Sequence, residues 1–398
     1  MSRLEELIQE YCPDGVEYRS LGEVCEKIHN IKWDKEKGSY RYIDLTSVDL
    51  ITHNIGETKI IDAEIAPSRA QQFVQEGDVL FGTTRPTQMR VCRVNAEYDG
   101  QICSTGYCVL RPKRSAVLTN WLIHILSTED FKAYLDVNQT RGNYPAISNK
   151  KLLQYLIPLP PLPVQEEIVR ILDRFTSLTA ELEAELEARK KQYEYYRKQL
   201  LGDKYKNSRN FTLGDIGSIL MCKRIMKAET SPHGEVPFYK IGTFGTKPDA
   251  YITKEKYDEY SGKYSFPKKG DVLISAAGTI GRAVIYDGEP AYYQDSNIVW
   301  IDNNESVVLN KYLYYFYQTS PWTVSTGGTI SRLYNDNIRK TKINIPPIPV
   351  QEEIVRILDR FDSLCNDLTS GLPAEIEARQ KQYEYYRDKL LTFQPLRA

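Results

Sequence analysis

Three short runs carry residue types that suit recognition of a polyanion with ordered base edges. Lys32-Trp33-Asp-Lys35-Glu-Lys37-Gly-Ser-Tyr40-Arg41 interleaves cations with aromatic rings, the mixture that phosphate and base contacts require. Thr83-Thr84-Arg85-Pro-Thr87-Gln88-Met-Arg90 and Ser275-Ala-Ala-Gly-Thr279-Ile-Gly-Arg282 each follow a Gly-Asp-Val-Leu run. Arg and Gln can each place two hydrogen bonds on one base edge. The candidate contacts are therefore Lys32, Trp33, Lys35, Tyr40 and Arg41, then Thr84, Arg85, Gln88 and Arg90, and in the second half Ser275, Thr279 and Arg282. The competing reading of any one of them is an ordinary solvated loop residue.

Bond-breaking chemistry has no visible seat. The chain holds no Gly-x-x-x-x-Gly-Lys-Ser/Thr loop, no Gly-x-Gly-x-x-Gly, no His-Glu-x-x-His and no Gly-x-Ser-x-Gly. Asn143-Tyr-Pro145 is a weak match to the Asn-Pro-Pro-Tyr loop of adenine methyltransferases, lacking the second proline and any glycine-rich donor site. Pro248-Asp249 with Lys254-Glu255-Lys256 is a poor nuclease cluster and reads as a surface loop. Seven cysteines without a Cys-x-x-Cys pair, and four histidines, argue against zinc. Reduced, mostly buried thiols are expected, as in a cytosolic protein. Net charge is −1, yet the blocks 164–201 and 350–391 together hold −4, which leaves +3 elsewhere and permits DNA binding. The opening Met-Ser-Arg-Leu-Glu-Glu has no apolar signal core and no run approaches a membrane span, so a soluble, cytoplasmic chain is expected. The chain reads as a binder.

What must position these residues is a stretch the chain uses twice. Pro163-Val-Gln-Glu-Glu-Ile-Val-Arg-Ile-Leu-Asp-Arg-Phe175 returns unchanged as Pro349 to Phe361, 186 residues later. Each copy leads to a second shared block, Gln192-Tyr-Glu-Tyr-Tyr-Arg197 and Gln382-Tyr-Glu-Tyr-Tyr-Arg387. Two copies are too few for a solenoid and predict a pseudo-twofold molecule. Apolar residues in steps of three and four, from Ile168 through Phe175, Leu182 and Leu186 to Leu200, predict one long helix from Val164 with a coiled-coil seam. Glu166 and Glu167 would lie in its first turn. At about 1.5 Å per residue it would be a rod of roughly 57 Å. Antiparallel pairing of two such rods would hold the globular domains at opposite ends, spanning at most roughly 17 base pairs of duplex. The second helix, from Val350, carries the same seam with one extra step through Leu368 and Leu372, and Gly371 and Pro373 predict a kink or break there.

The flanking regions also replay. Leu213-Gly-Asp-Ile216 answers Leu21-Gly-Glu-Val24, Gly270-Asp-Val-Leu273 answers Gly77-Asp-Val-Leu80, and Gly328 stands in step with Gly142. Asn310 onward answers Asn120 onward, a helix that Asn120 would cap and that would continue toward Leu135. Ser2 and Glu5 have capping-box spacing for an N-terminal helix to about Tyr11. Tyr40–Leu45, Asp78–Phe81 and Tyr107–Leu110 read as strands. The fold expected is α+β: recognition domains at 1–156 and 203–342, with elbow-and-helix segments at 157–202 and 343–398. Outward charges match between the copies: Glu166 with Glu352, Glu167 with Glu353, Arg170 with Arg356, Arg174 with Arg360. A matched exposed face suits one kind of partner docking twice; a duplication too recent to have diverged is the competing account.

Over essentially its full length the chain resembles the specificity (S) subunits of bacterial type I restriction–modification enzymes. The resemblance rests on the elbow-plus-helix at Pro160–Ile168 and Pro346–Ile354, with the duplicated Leu-Gly-(Glu/Asp)-(Val/Ile) and Gly-Asp-Val-Leu runs in order. It implies two target-recognition domains that read the halves of a bipartite site in double-stranded DNA, and two helices that space them and dock two modification (M) subunits. Restriction (R) subunits would join through these. It also implies a non-catalytic chain without cofactor, with S-adenosylmethionine, ATP and Mg on partner subunits, and no membrane partner. Thr179-Ala-Glu-Leu182-Glu-Ala-Glu-Leu186 looks like the place where such proteins vary spacer length. The rival class is a coiled-coil scaffold whose domains bind proteins, and a second rival is a self-sufficient restriction or methylation enzyme.

Overall fold

The Ser2 hydroxyl accepts from the Glu5 amide and the Glu5 carboxylate accepts from the Ser2 amide, closing the expected capping box. The helix it starts, α1 (Arg3–Tyr11), buries Leu4. The computed structural model describes residues 2–50, 52–202, 205, 207–323 and 332–396; Gly328, matched above to Gly142, lies outside them. The chain divides into two units, Met1–Leu182 with Ile376–Ala398, and Glu183–Glu375.

In the first unit β1 (Tyr18–Ser20), α2 (Leu21–Val24) and β2 (Cys25–Glu26) precede β3 (Tyr40–Ile43), β4 (Lys59–Ile61), β5 (Ala70–Phe73), β6 (Val79–Gly82), β7 (Val91–Arg93), β8 (Ile102–Ser104) and β9 (Tyr107–Pro112). Then come α3 (Thr119–Ile125), α4 (Glu129–Asn138), α5 (Asn149–Leu152) and β10 (Leu156–Pro158). Two sheets result, ordered β2-β9-β6-β7 and β4-β3-β8-β5, with a ribbon β1-β10. Strand β6 is apolar throughout because both its faces are covered: Val79 and Phe81 join the helices' core, Leu80 the core over Ile43 and Tyr107. Two helix expectations need correction. Leu118 holds the cap position of α3, while Asn120 lies inside the helix and donates to Asp173 at 2.7 Å. The helix also does not run on to Leu135, because the Thr128 hydroxyl caps a fresh start at α4.

Helix α6 (Leu162–Leu200) runs unbroken for 39 residues, about 58 Å. It begins two residues before Val164, with Pro163 in its first turn, so Glu166 and Glu167 stand beyond that turn.

The second unit repeats the plan. β11 (Arg209–Thr212), α7 (Leu213–Ile216), β12 (Ile219–Leu220), β13 (Val236–Tyr239), β14 (Tyr251–Ile252), α8 (Lys254–Lys263), β15 (Val272–Ser275), β16 (Ala283–Ile285), β17 (Tyr292–Tyr293), β18 (Ile298–Ile301), α9 (Asn310–Tyr317), α10 (Asn335–Lys340) and β19 (Lys342–Ile345) follow in order. The sheet β12-β18-β15-β16 matches β2-β9-β6-β7, the parallel pair β13-β17 matches β3-β8, and β11-β19 matches β1-β10. Lys254-Glu255-Lys256, expected in a loop, open helix α8, which the Thr253 hydroxyl caps.

The second long helix is two helices, α11 (Ile348–Asn366) and α12 (Leu372–Leu390). Between them the Asp367 carboxylate accepts from the amides and hydroxyls of Thr369 and Ser370, which holds it well below the usual carboxylate range. A Cβ on Gly371 would lie 2.5 Å from the Ser363 carbonyl, so only glycine folds back on the end of α11 so closely. Leu368, placed in the seam by spacing, is in this turn and 75 % exposed. Otherwise the expected pairing holds within each unit. In the second, Tyr193 and Tyr196 of α6 stack on Phe361 of α11 at 6.0 and 5.7 Å, and the charges of Arg189 and Lys190 reach Cys365, so the two run antiparallel. In the first, Phe175 of α6 stacks on Tyr386 of α12 at 5.5 Å.

The elbow explains much of the identical sequence. Gln165 is fully buried: its Oε1 accepts from the Leu118 amide (3.1 Å) and its Nε2 donates to the carbonyls of Ala116 and Pro160, both at 2.8 Å. Gln351 does the same for Leu309 (2.9 Å), Val307 (2.9 Å) and Pro346 (2.7 Å). These bonds fix the register of the repeat, which matches Leu118 with Leu309. It corrects the pairing of Asn120 with Asn310 by one residue, so that Asn120 answers Lys311. Asn120 and His124 hold Asp173, and Lys311 and Tyr315 hold Asp359.

Candidate nucleic-acid interface

The sheets deliver three loop groups to the surface, and the candidates divide by how far their polar groups are already engaged. In the first run, Trp33 donates its indole N–H to the Ala70 carbonyl at 2.8 Å and packs edge-on against Tyr40, whose hydroxyl donates to Glu36. Arg41 is paired with Glu97 and lies 5.7 Å from the Tyr98 ring centre. These three are tied into the sheet's edge, whereas Lys32 and Lys35 project into solvent.

After β6, Thr84 bridges to Ala146 and the Arg85 amide donates to the Pro145 carbonyl at 2.7 Å. Arg85 holds a left-handed backbone at φ 49, with its guanidinium 5.2 Å from the centre of the Tyr144 ring. Gln88 is exposed, whereas Arg90 donates to the Val48 carbonyl. The matching loop after β15 is mostly self-contained. Ser275 is buried, donating to the Thr279 carbonyl and accepting from the Arg282 amide at 2.9 Å. Arg282 is anchored on the Phe244 carbonyl at 2.7 Å, which leaves Thr279 the exposed member.

Beside that loop is a group the sequence reading passed over. A cleft of about 280 Å³ is lined by Arg224, Met226, Lys227, Gln294, Asp295 and Arg332 among others. Arg224 pairs with Asp295 at 2.8 Å, Arg332 donates to the Ser296 carbonyl at 2.9 Å, and Met226 is 60 % exposed. Ile31 and Ile225, in the segments that leave β2 and β12, are both buried, and Lys32-Trp33 and Met226-Lys227 follow them directly. The run Lys223-Arg-Ile-Met-Lys227 was the available signal.

On the helices, Glu166, Arg170 and Arg174 are exposed, as are Glu352, Arg356 and Arg360. The fourth pair differs. Glu167 bonds Arg170 at 2.6 Å, lies 3.9 Å from Arg3 of α1 and keeps 6 % of its side chain exposed, whereas Glu353, bonded to Arg356 at 2.8 Å, keeps 54 %. Helix α1 thus shields the glutamate of the first copy. Burial pushes the thiols of Cys25, Cys92, Cys108 and Cys222 up to about 12, and all seven cysteines are free and buried. Among the described residues no group of three or more His, Cys, Asp or Glu is arranged for a metal ion, and no helix is long and apolar enough to cross a membrane.

Fold and surface define a twice-repeated α+β recognition module carried on paired helices. Residues 13–189 and 205–378 each match the family model described as "Type I restriction modification DNA specificity domain". A Haemophilus influenzae protein named as a type I restriction enzyme specificity subunit is 55% identical over 281 residues, 69% of this chain and 72% of that protein. The specificity subunit of a type I restriction enzyme of Escherichia coli is 37% identical over 266 residues, 62% and 65% of the two chains. Among solved structures, a chain from a study of type I restriction–modification complex assembly and conformational transition superposes with TM-score 0.66 at 24% identity, covering 95% of this chain and 98% of that one. The HsdS subunit of Thermoanaerobacter tengcongensis gives 0.56 at 23%, covering 96% and 97%, so both show a shared fold. The chain belongs to the type I restriction–modification DNA specificity family, as a specificity subunit, the non-catalytic component that carries DNA target recognition.

Proposed function

We propose that the two domains read the two halves of a bipartite target in double-stranded DNA, while the helices space them and dock two M subunits, through which R subunits join. S-adenosylmethionine, ATP and Mg are then held by those partners, and the chain works in the cytoplasm. One observation carries this reading. Within the identical thirteen residues Gln165 and Gln351 have a packing duty and Arg170 and Arg356 each bond a glutamate of their own helix, whereas Glu166 and Arg174 and their counterparts Glu352 and Arg360 are exposed. A face kept identical without an internal task, beside domains whose loops differ, fits one partner bound twice and two different half-sites.

The test combines the purified chain with its M subunits on DNA. Affinity is expected to fall steeply and log-linearly with salt, because phosphate contacts release counterions. Sequencing of modified bases is expected to give one two-part motif. Charge reversal at Arg174 and Arg360 together, both exposed, is expected to abolish co-purification with M subunits and leave the fold intact. Salt-insensitive binding, or none, would favour the protein-binding scaffold.

A further inference from the structure

Each domain brings two loops together at the same place. Ile147 donates its amide to the Thr83 carbonyl at 2.9 Å and Thr84 bridges to Ala146; in the second domain Leu333 donates to Ala276 at 2.8 Å and Ala277 bridges to Arg332. The next position is therefore Arg85 in one domain and Gly278 in the other. Both are left-handed, with φ 49 and φ 64. Glycine adopts this conformation at no steric cost, whereas arginine is strained by it. The first domain thus keeps a strained side chain where its own repeat shows that glycine fits.

That side chain is also held ready. The Arg85 amide is fixed by Pro145 at 2.7 Å and the guanidinium lies over the Tyr144 ring at 5.2 Å. Tyr144 is itself 75 % exposed, so the pair is a projection and not a core contact. No carboxylate pairs with Arg85 or Arg141 among the described residues, whereas Arg41 is matched to Glu97 and Arg224 to Asp295. Gln88, Arg141 and Asn143 are exposed on the same two loops. A guanidinium stacked on a ring, with its five N–H groups unspent, suits two parallel hydrogen bonds to a guanine edge, and Gln or Asn suits adenine.

We infer that Arg85, seated on Tyr144, is a base-reading residue of the first domain, with Gln88, Arg141 and Asn143 beside it. The inference rests on the DNA-reading function proposed above. It deepens that proposal by placing the first domain's reading on the loop pair 84–88 and 140–146.

The experiment expresses the full chain with its M subunits and maps modified bases for wild type, Arg85→Ala, Arg85→Lys and Tyr144→Ala. Arg85→Ala is expected to lower modification of the native site about 10- to 100-fold and relax one position of one half-site, leaving the other half-site unchanged. Arg85→Lys is expected to resemble Arg85→Ala, since lysine keeps the charge but not the paired bonds; rescue by lysine would mean a phosphate contact and overturn base reading. Tyr144→Ala touches no core, so it gives the same readout should Arg85→Ala fail to fold, with a smaller loss at the same position. An unchanged motif and rate in both alanine variants would overturn the inference while leaving the two-part reading intact. Loss of M-subunit co-purification with an unchanged motif would assign the loops to a protein partner and equally overturn it. If wild type itself yields no two-part motif, the proposed function falls first.

Discussion

A buried amide can be worth more to a fold than any exposed charge, and Gln165 shows why. Its side chain satisfies one backbone amide and two carbonyls, two of these groups in the turn before α3 and one in the Pro-rich elbow, that would otherwise be left unpaired inside the core. Gln165→Leu keeps the volume and removes all three bonds, so the chain is expected to lose about 2–4 kcal/mol of stability. Chemical denaturation followed by circular dichroism measures this; a loss below about 0.5 kcal/mol, the size of a neutral surface change, would contradict it. The sequence showed this glutamine only as one identical residue among thirteen, because identity does not distinguish a core amide from a docking contact. The Arg85–Tyr144 pair was hidden for another reason. Its partners lie far apart in sequence and meet through one isolated bridge, which no local periodicity records. Trp33 and Arg41 look like ligand contacts by type, yet Trp33 spends its one donor on the Ala70 carbonyl and Arg41 is paired with Glu97.

At the scale of elements, patterning worked where a segment's own residues decide its form. The capping box at Ser2, the strands after each Gly-Asp pair and the 39-residue helix all follow from local periodicity and local bonds. It failed where a neighbour decides. The turn at Asp367–Gly371 was signalled by Gly371 and Pro373, but Leu368 fits the seam's spacing and only the fold-back of the chain removes it. Thr179–Leu186 is the opposite case, a stretch of α6 with mostly exposed side chains, of which Leu186 packs against the second unit's core. Inserting Thr-Ala-Glu-Leu after Leu182 adds about 6 Å of helix and about 40° of rotation. The turn beside Gly371 gives the second helix a place to adjust. The gap in the recognised DNA site is expected to grow by about one to two base pairs with both half-sites unchanged, since about 3.4 Å separates successive pairs. Sequencing of modified bases reads the gap directly, and altered half-sites with an unaltered gap would refute the ruler.

At the scale of the whole chain, the two shared blocks are exchanged between the repeats. Tyr383 and Tyr386, from the second copy, complete the first unit: the Tyr383 hydroxyl sits 2.9 Å from His124 and Tyr386 stacks on Phe175. Tyr193 and Tyr196, from the first copy, complete the second unit on Phe361. Arg387 lies over Tyr383 and Arg197 over Tyr193 in the same way, at 5.5 and 5.2 Å. Identical blocks with identical tasks are interchangeable. A chain ending at Gly202 lacks Tyr383 and Tyr386 but carries Tyr193, Tyr196, Leu200 and Leu201 in the same spacing as Tyr383, Tyr386, Leu390 and Leu391. Two such chains can each lend the other its block, so the half-chain is expected to form a twofold dimer. The dimer should be weaker than the intact arrangement, because Phe393, which packs near Trp121 and accepts from Tyr18, and Pro395, which bridges to Val16, have no counterpart. Light scattering should give the mass of two chains, and Tyr193→Ala with Tyr196→Ala should return it to one. With M subunits the dimer should modify a site made of the first domain's half-site and its inverted copy. A half-chain that stays monomeric at every concentration at which it folds would show that the exchanged tyrosines do not suffice to join the repeats.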